Sequence, residues 1–121
     1  MSEELLITNV GKLRNLLHRV LKQQFAAEAD VKLTIEEFIL LNMIEMHTDQ
    51  ILQNIAIATG KNKSVVMRMI DSLEQKGLAR RTVNPDDRRE NLLSITERGA
   101  EVLSQYKEIE KRVSAELLSG I

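Results

Sequence analysis

Apolar residues recur at alternating spacings of four and three through Leu6, Val10, Leu13, Leu17 and Val20. That period is the seam of an amphipathic helix and predicts one over about residues 4–26. Leu5, Leu16 and Leu21 widen the stripe, so this helix is expected to meet more than one neighbour. The pattern changes at Thr34. Thr34-Ile35-Glu36-Glu37 has the form of a capping box, in which the threonine hydroxyl and the glutamate satisfy free backbone donors. Phe38, Ile39, Leu40, Leu41, Met43, Ile44 and Met46 then leave almost no polar face, so the helix ending near Met46 should be sandwiched between layers. A short break around Asp49 to Ile51 precedes a brief helix at about 52–59. Gly60 and a helix at about 63–75 follow, and Gly77 sits where a left-handed residue ends a helix. Leu78 to Val83 and Asn91 to Ile95 read as two short strands around the turn cluster Asn84-Pro85-Asp86-Asp87. Thr96 is placed to cap a last helix over about 97–119, with Val102, Tyr106, Ile109, Val113 and Leu117 along one face.

Two short helices that cross steeply need a small residue at the contact and a glycine in the turn. Ala56 and Gly60 stand at those places. With Ile55, Val66, Met69, Ile70 and Leu73 turned inward, Lys63, Ser64, Val65, Met67, Arg68 and Ser72 point outward. This face is basic and carries no acid before Asp71. A helix that meets base edges in the major groove should look this way. The two-stranded ribbon that follows would form a wing. At its tip, Asp86-Asp87-Arg88-Arg89, the arginines suit a narrow, negative minor groove, and the acids can hold a guanidinium extended. The same residues also allow a plainer reading, a helical hairpin with a glycine turn followed by a solvated, charge-balanced loop.

Several stretches resemble the MarR family. They are Leu33-Thr34 with Phe38, the run Gly60-Lys61-Asn62-Lys63-Ser64-Val65-Val66-Met67-Arg68 continuing through Leu73-Glu74 to Gly77-Leu78, then Asn84-Pro85-Asp86-Asp87-Arg88-Arg89, and Leu93-Ser94-Ile95-Thr96-Glu97-Arg98-Gly99. The resemblance covers about residues 33–106 without gaps. It implies a mostly α fold with a small β-hairpin wing, a winged helix-turn-helix flanked by N- and C-terminal dimerisation helices. On that reading residues 1–121 are one domain, with a DNA-binding core at about 33–96 and dimerisation helices at about 4–26 and 97–119. The resemblance implies a homodimeric repressor on a palindromic operator in double-stranded DNA, its recognition helices about 34–36 Å apart to meet successive major grooves. Ser64, Val65, Met67 and Arg68 would face the major groove with Lys63 near phosphate, and Arg89 would enter the minor groove steadied by Asp87. Ser72 and Arg88 complete the expected DNA-binding set. The dimer interface would comprise Leu6, Val10, Leu13, Leu17, Val20, Tyr106, Ile109, Val113 and Leu117. The family commonly carries a hydroxyl residue where Val65 and Met67 stand. The chain also ends at Ile121, so the terminal helix that often completes the dimer is expected to be missing or merged, and the dimer smaller, weaker or differently arranged.

A formal net charge of −1 argues at first against a polyanionic partner. Its distribution reverses that argument, because residues 61–98 carry nine basic and six acidic side chains. DNA responds to the field of the face it meets, not to the sum over the chain. Aromatic residues are 2% of the chain, so the core must be aliphatic and few rings remain to line a pocket for an effector. A small-molecule effector is compatible with the resemblance, but no residue set identifies one. With no cysteine, disulfides, thiolate zinc sites and cysteine redox switches are excluded. His18 and His47 fall on separate helices, so no metal site is expected, and no cofactor. The glycines are isolated at 11, 60, 77, 99 and 120 and form no phosphate-cradling loop. No nucleophile–base set is suggested by spacing, so the chain is not expected to be an enzyme. The acidic N-terminus is no secretory signal and no apolar run approaches a membrane span, so a cytoplasmic protein with no membrane partner is expected. One alternative stays open, a winged-helix module that binds protein and not DNA. Its support is the outward apolar pair Val65 and Met67 and the near-neutral total charge.

Overall fold

A computed structural model describes residues 3–47, 50, 51, 54, 57, 59–88 and 91–119. The elements follow as α1 (Glu3–Glu28), α2 (Ile35–Met46), β1 (Gln50–Ile51), α3 (Lys63–Gln75), β2 (Ala79–Val83), β3 (Asn91–Ile95) and α4 (Glu97–Ser119). Asn54, Ile57 and Thr59 are helical. The rest of the brief helix expected at 52–59, including Ile55 and Ala56, lies outside the described residues. The chain divides into two compact units, Met1–Ile35 with Gln105–Ile121, and Glu36–Ser104.

In the first unit the apolar stripe of α1 changes its environment along its length. Leu21, Phe25 and Ala29 are buried, Leu17 and Val20 are half-buried, and Val10, Leu13 and Leu16 are exposed. Phe25 packs on Tyr106 of α4, with ring centroids 4.5 Å apart and planes inclined at 47°. The Tyr106 hydroxyl accepts from the Leu33 N–H and donates to the Val31 carbonyl, both at 2.7 Å. Lys32 Nζ donates to the carbonyl of Ala26, in the last turn of α1, which has no helical partner there, and to that of Ala29 just past its end. Arg112 of α4 pairs with Glu28, and its hydrogen bond holds the Glu28 carboxyl below the usual carboxylate range. Tyr106, Ile109 and Val113, expected at a dimer interface, are buried within the single protomer, while Leu117 is half-buried. An apolar period identifies a buried face but does not say what buries it; here the first three side chains are used inside the chain.

In the second unit α2 is buried on most sides. Leu40, Leu41 and Ile44 have at most 1% exposure, while Ile39 and Met46, expected inside with them, are 52% and 69% exposed. The sheet has three strands in the order β1-β3-β2. The hairpin pairs Ala79 with Ile95 through to Val83 with Asn91, and β1 pairs Gln50 with Leu93 and Ile51 with Leu92. Where the sequence suggested only a break there is thus a third strand. Its two residues are too few to show an alternation, and its partner lies some forty residues onward. Thr96 closes the unit. Its N–H donates to the Leu78 carbonyl at 3.0 Å, its hydroxyl donates to the Gly77 carbonyl at 2.7 Å and accepts from the Gly99 N–H at 2.9 Å.

Candidate nucleic-acid interface

The central element of the site is α3, and both its ends are fixed by local chemistry. Asn62 caps the start, its side-chain oxygen accepting from the Ser64 N–H at 2.8 Å. At the other end the Leu78 N–H donates to the Leu73 carbonyl and the Gly77 N–H to the Glu74 carbonyl, both at 2.9 Å. This is the Schellman arrangement, and it needs a left-handed residue at Gly77, whose φ is 76°. Between the ends Val66, Ile70 and Leu73 are fully buried and set which face turns away from the core. Lys63, Ser64, Val65 and Arg68 are exposed, and Met67 is half-buried.

Ser72, also expected on that face, has a different surrounding. It is half-buried, and its hydroxyl donates to Glu37 Oε2 of α2 at 2.8 Å. Lys76 Nζ meets the same oxygen at 3.1 Å. Glu37 is 7% exposed, and a carboxylate at that depth needs such partners to remain charged. Glu37 therefore ties the last turns of α3 to α2.

A second tie joins α3 to the wing. Arg81 of β2 donates from Nε to Glu74 Oε1 at 2.5 Å, and its guanidinium also pairs with Asp71. Partial burial disfavours the Arg81 charge, but the hydrogen bonds and charges of Glu74 and Asp71 outweigh it and raise the pKa. Removing the guanidinium leaves two carboxylates facing each other one turn apart. Because Asp71 is largely exposed, Arg81→Met is expected to cost only about 1 kcal/mol in urea unfolding. In an E74Q background the cost should be smaller; equal costs in both backgrounds would disprove the coupling.

At the wing tip, the Asp86 N–H donates to Asn84 Oδ1 at 3.0 Å, so the asparagine shapes the turn. Asp87 is half-buried and Arg88 is exposed. Arg89 lies outside the described residues, and with it the expected pairing to Asp87. The structure thus leaves Lys63, Ser64, Val65 and Arg68 exposed on one helix, with Ser64, Val65 and Arg68 sharing one side of it. Val10 and Leu13, in the other unit, are exposed. Asn62 and Arg81 have structural roles that sequence reasoning missed, and Glu37, expected only in a capping box with Thr34, meets Ser72 of α3 and Lys76 just after it. Asparagine just before a helix is a readable capping signal. The Glu37 contacts span more than thirty positions and have no local signal.

Residues 33–91 match the model of the MarR family. Among solved structures, the fold is similar to that of Streptococcus pneumoniae FabT in complex with DNA (17% identity, TM-score 0.86, 99% of this chain and 84% of that one). It is similar to that of a mutant Escherichia coli MarR complexed with operator DNA (21% identity, TM-score 0.80, 96% and 81%). It is also similar to that of a multiple antibiotic resistance repressor, MarR (23% identity, TM-score 0.79, 99% and 83%). At these identities the likeness concerns the fold.

Proposed function

This chain belongs to the MarR family, whose domain it carries at residues 33–91, and from that premise we propose that it is a sequence-specific regulator of transcription, a homodimeric repressor that binds a palindromic operator in double-stranded DNA. The observation that carries this reading is the outer face of α3. Lys63, Ser64, Val65 and Arg68 stand exposed together, no acid precedes Asp71, and a buried stripe and two capped ends hold the helix in place. Phosphate contacts by such cations position a protein on the duplex, and side chains on the same helix read the bases. Arg88, exposed at the wing tip, and Arg89 add a contact to the minor groove, with Asp87 supporting. MarR and FabT, with the same fold, have been solved bound to DNA.

The second copy is argued from α1. Val10 is 59% and Leu13 42% exposed, on the seam whose later members Leu17 and Val20 are half-buried. Apolar surface left open at the start of a seam is suited to a partner's equivalent helix, and a two-fold pair would present two copies of α3 to a palindrome. Among the described residues no helix is long and apolar enough to cross a membrane. The protein acts in the cytoplasm, with the DNA.

The test is selection of bound duplexes from a random pool, followed by titration of the selected site at several salt concentrations. With six to ten phosphate contacts per dimer, affinity should fall about 10³–10⁵-fold between 50 and 200 mM salt. Arg68→Ala should cost about 1–3 kcal/mol per half-site. Failure to enrich any duplex, or an affinity indifferent to salt, would overturn the proposal.

A further inference from the structure

We propose that Val65 reads the 5-methyl group of a thymine in the major groove, so that each half-site of the operator contains a thymine at a fixed position chosen by this side chain. The inference rests on the DNA-binding reading above and adds to it the base recognised.

Val65 is 42% exposed, in the first turn of a helix whose stability gains little from a β-branched residue. Its neighbours Val66, Ile70 and Leu73 are fully buried, so the core is formed without it. Ser64 and Arg68 flank it on the exposed side, and Lys61 and Lys63 stand exposed just before it. An apolar side chain that shares its side of the helix with Arg68, with no acid before Asp71, complements a polyanion that also offers an apolar group. In the major groove that group is the thymine methyl. The other base edges there present donors and acceptors, which valine can desolvate but not replace. Val65 thus favours thymine and penalises the other bases at one position.

The assignment is to Val65 and not to Met67. At about 100° per residue the two side chains lie about 160° apart around the helix axis, so both cannot reach one base edge. Met67 is the half-buried one, on the flank shared with Glu74.

Deoxyuridine tests this directly, because it differs from thymidine only in lacking the methyl. In the duplex selected above, each thymine pair related by the two-fold axis is replaced by deoxyuridine, and affinity is measured for the intact protein and for Val65→Ala. One pair should weaken binding about fourfold per half-site, or about fifteenfold together, the value of one buried methyl group on each side. The alanine variant should bind the thymine duplex more weakly and be indifferent to uracil at that pair. Thymine duplexes that bind well and tolerate uracil at every position, or a selected site with no thymine, would overturn the assignment and leave DNA binding intact. A uracil effect that persists in the alanine variant would overturn it as well. If no duplex is enriched, the DNA reading fails and the assignment with it.

Discussion

Gly99→Ala is expected to destabilise the chain by about 3 kcal/mol or more, read as a lowered midpoint of urea unfolding. On helix propensity alone the sign would be opposite, since alanine in place of glycine inside a helix favours folding by about 1 kcal/mol. Sterics decide the outcome. A Cβ at Gly99 would overlap the Leu78 carbonyl oxygen and lie 2.9 Å from its carbonyl carbon and 2.8 Å from Ile95 Cγ1. The isoleucine can change rotamer, but the carbonyl cannot move aside. It accepts from the Thr96 N–H at 3.0 Å, and the Leu78 N–H on the same residue donates to Leu73 at 2.9 Å. The Leu78 side chain is also fully buried. Relief requires either pushing the first turn of α4 off β2 or opening the end of α3. The second would disturb the helix proposed to read DNA, so reduced affinity should accompany reduced stability. An alanine variant as stable as the parent would show that the joint is not packed this closely.

That joint shows what the sequence made legible. Gly77 and Thr96 could be assigned from their places relative to the apolar periods, because helix ends are local chemistry. The bounds of α3 follow from Gly77 after it and the inward spacing of Val66, Ile70 and Leu73; the Asn62 cap before it is equally local but went unread. The close approach of Gly99 to Leu78 had no such signal, since it depends on how a strand and a helix meet. The same limit explains β1, whose two residues take their meaning from Leu92 and Leu93. It explains Ser72, which a helical wheel places at the edge of the outer face but which Glu37 engages from another helix. Arg81 entered the sequence reading only in the count of basic residues over 61–98; Glu74 and Asp71 hold it as a latch. Long-range polar partners were the part of the candidate site that the pattern of residues could not supply.

Tyr106 tests the other unit, and there two variants separate packing from hydrogen bonding. Tyr106→Phe keeps the ring against Phe25 and removes only the hydroxyl. The Leu33 N–H then loses its 2.7 Å acceptor in a buried position, whereas the half-buried Val31 carbonyl can turn to water. One unsatisfied buried donor costs about 1–3 kcal/mol. Tyr106→Ala removes the ring as well and should cost about 3–5 kcal/mol, as other buried aromatic truncations do. Since Tyr106 has 0% exposure in the single chain, neither cost should come from a partner. The dissociation constant of the proposed dimer, measured by sedimentation at protein concentrations where the variants remain folded, should be unchanged by Tyr106→Phe. Leu13→Asp, on the exposed part of α1, should do the reverse: it should weaken the dimer with little effect on the stability of the protomer. If Tyr106→Phe weakened the dimer and left unfolding of the protomer unaltered, the side chain would belong to the interface and not to the interior described here.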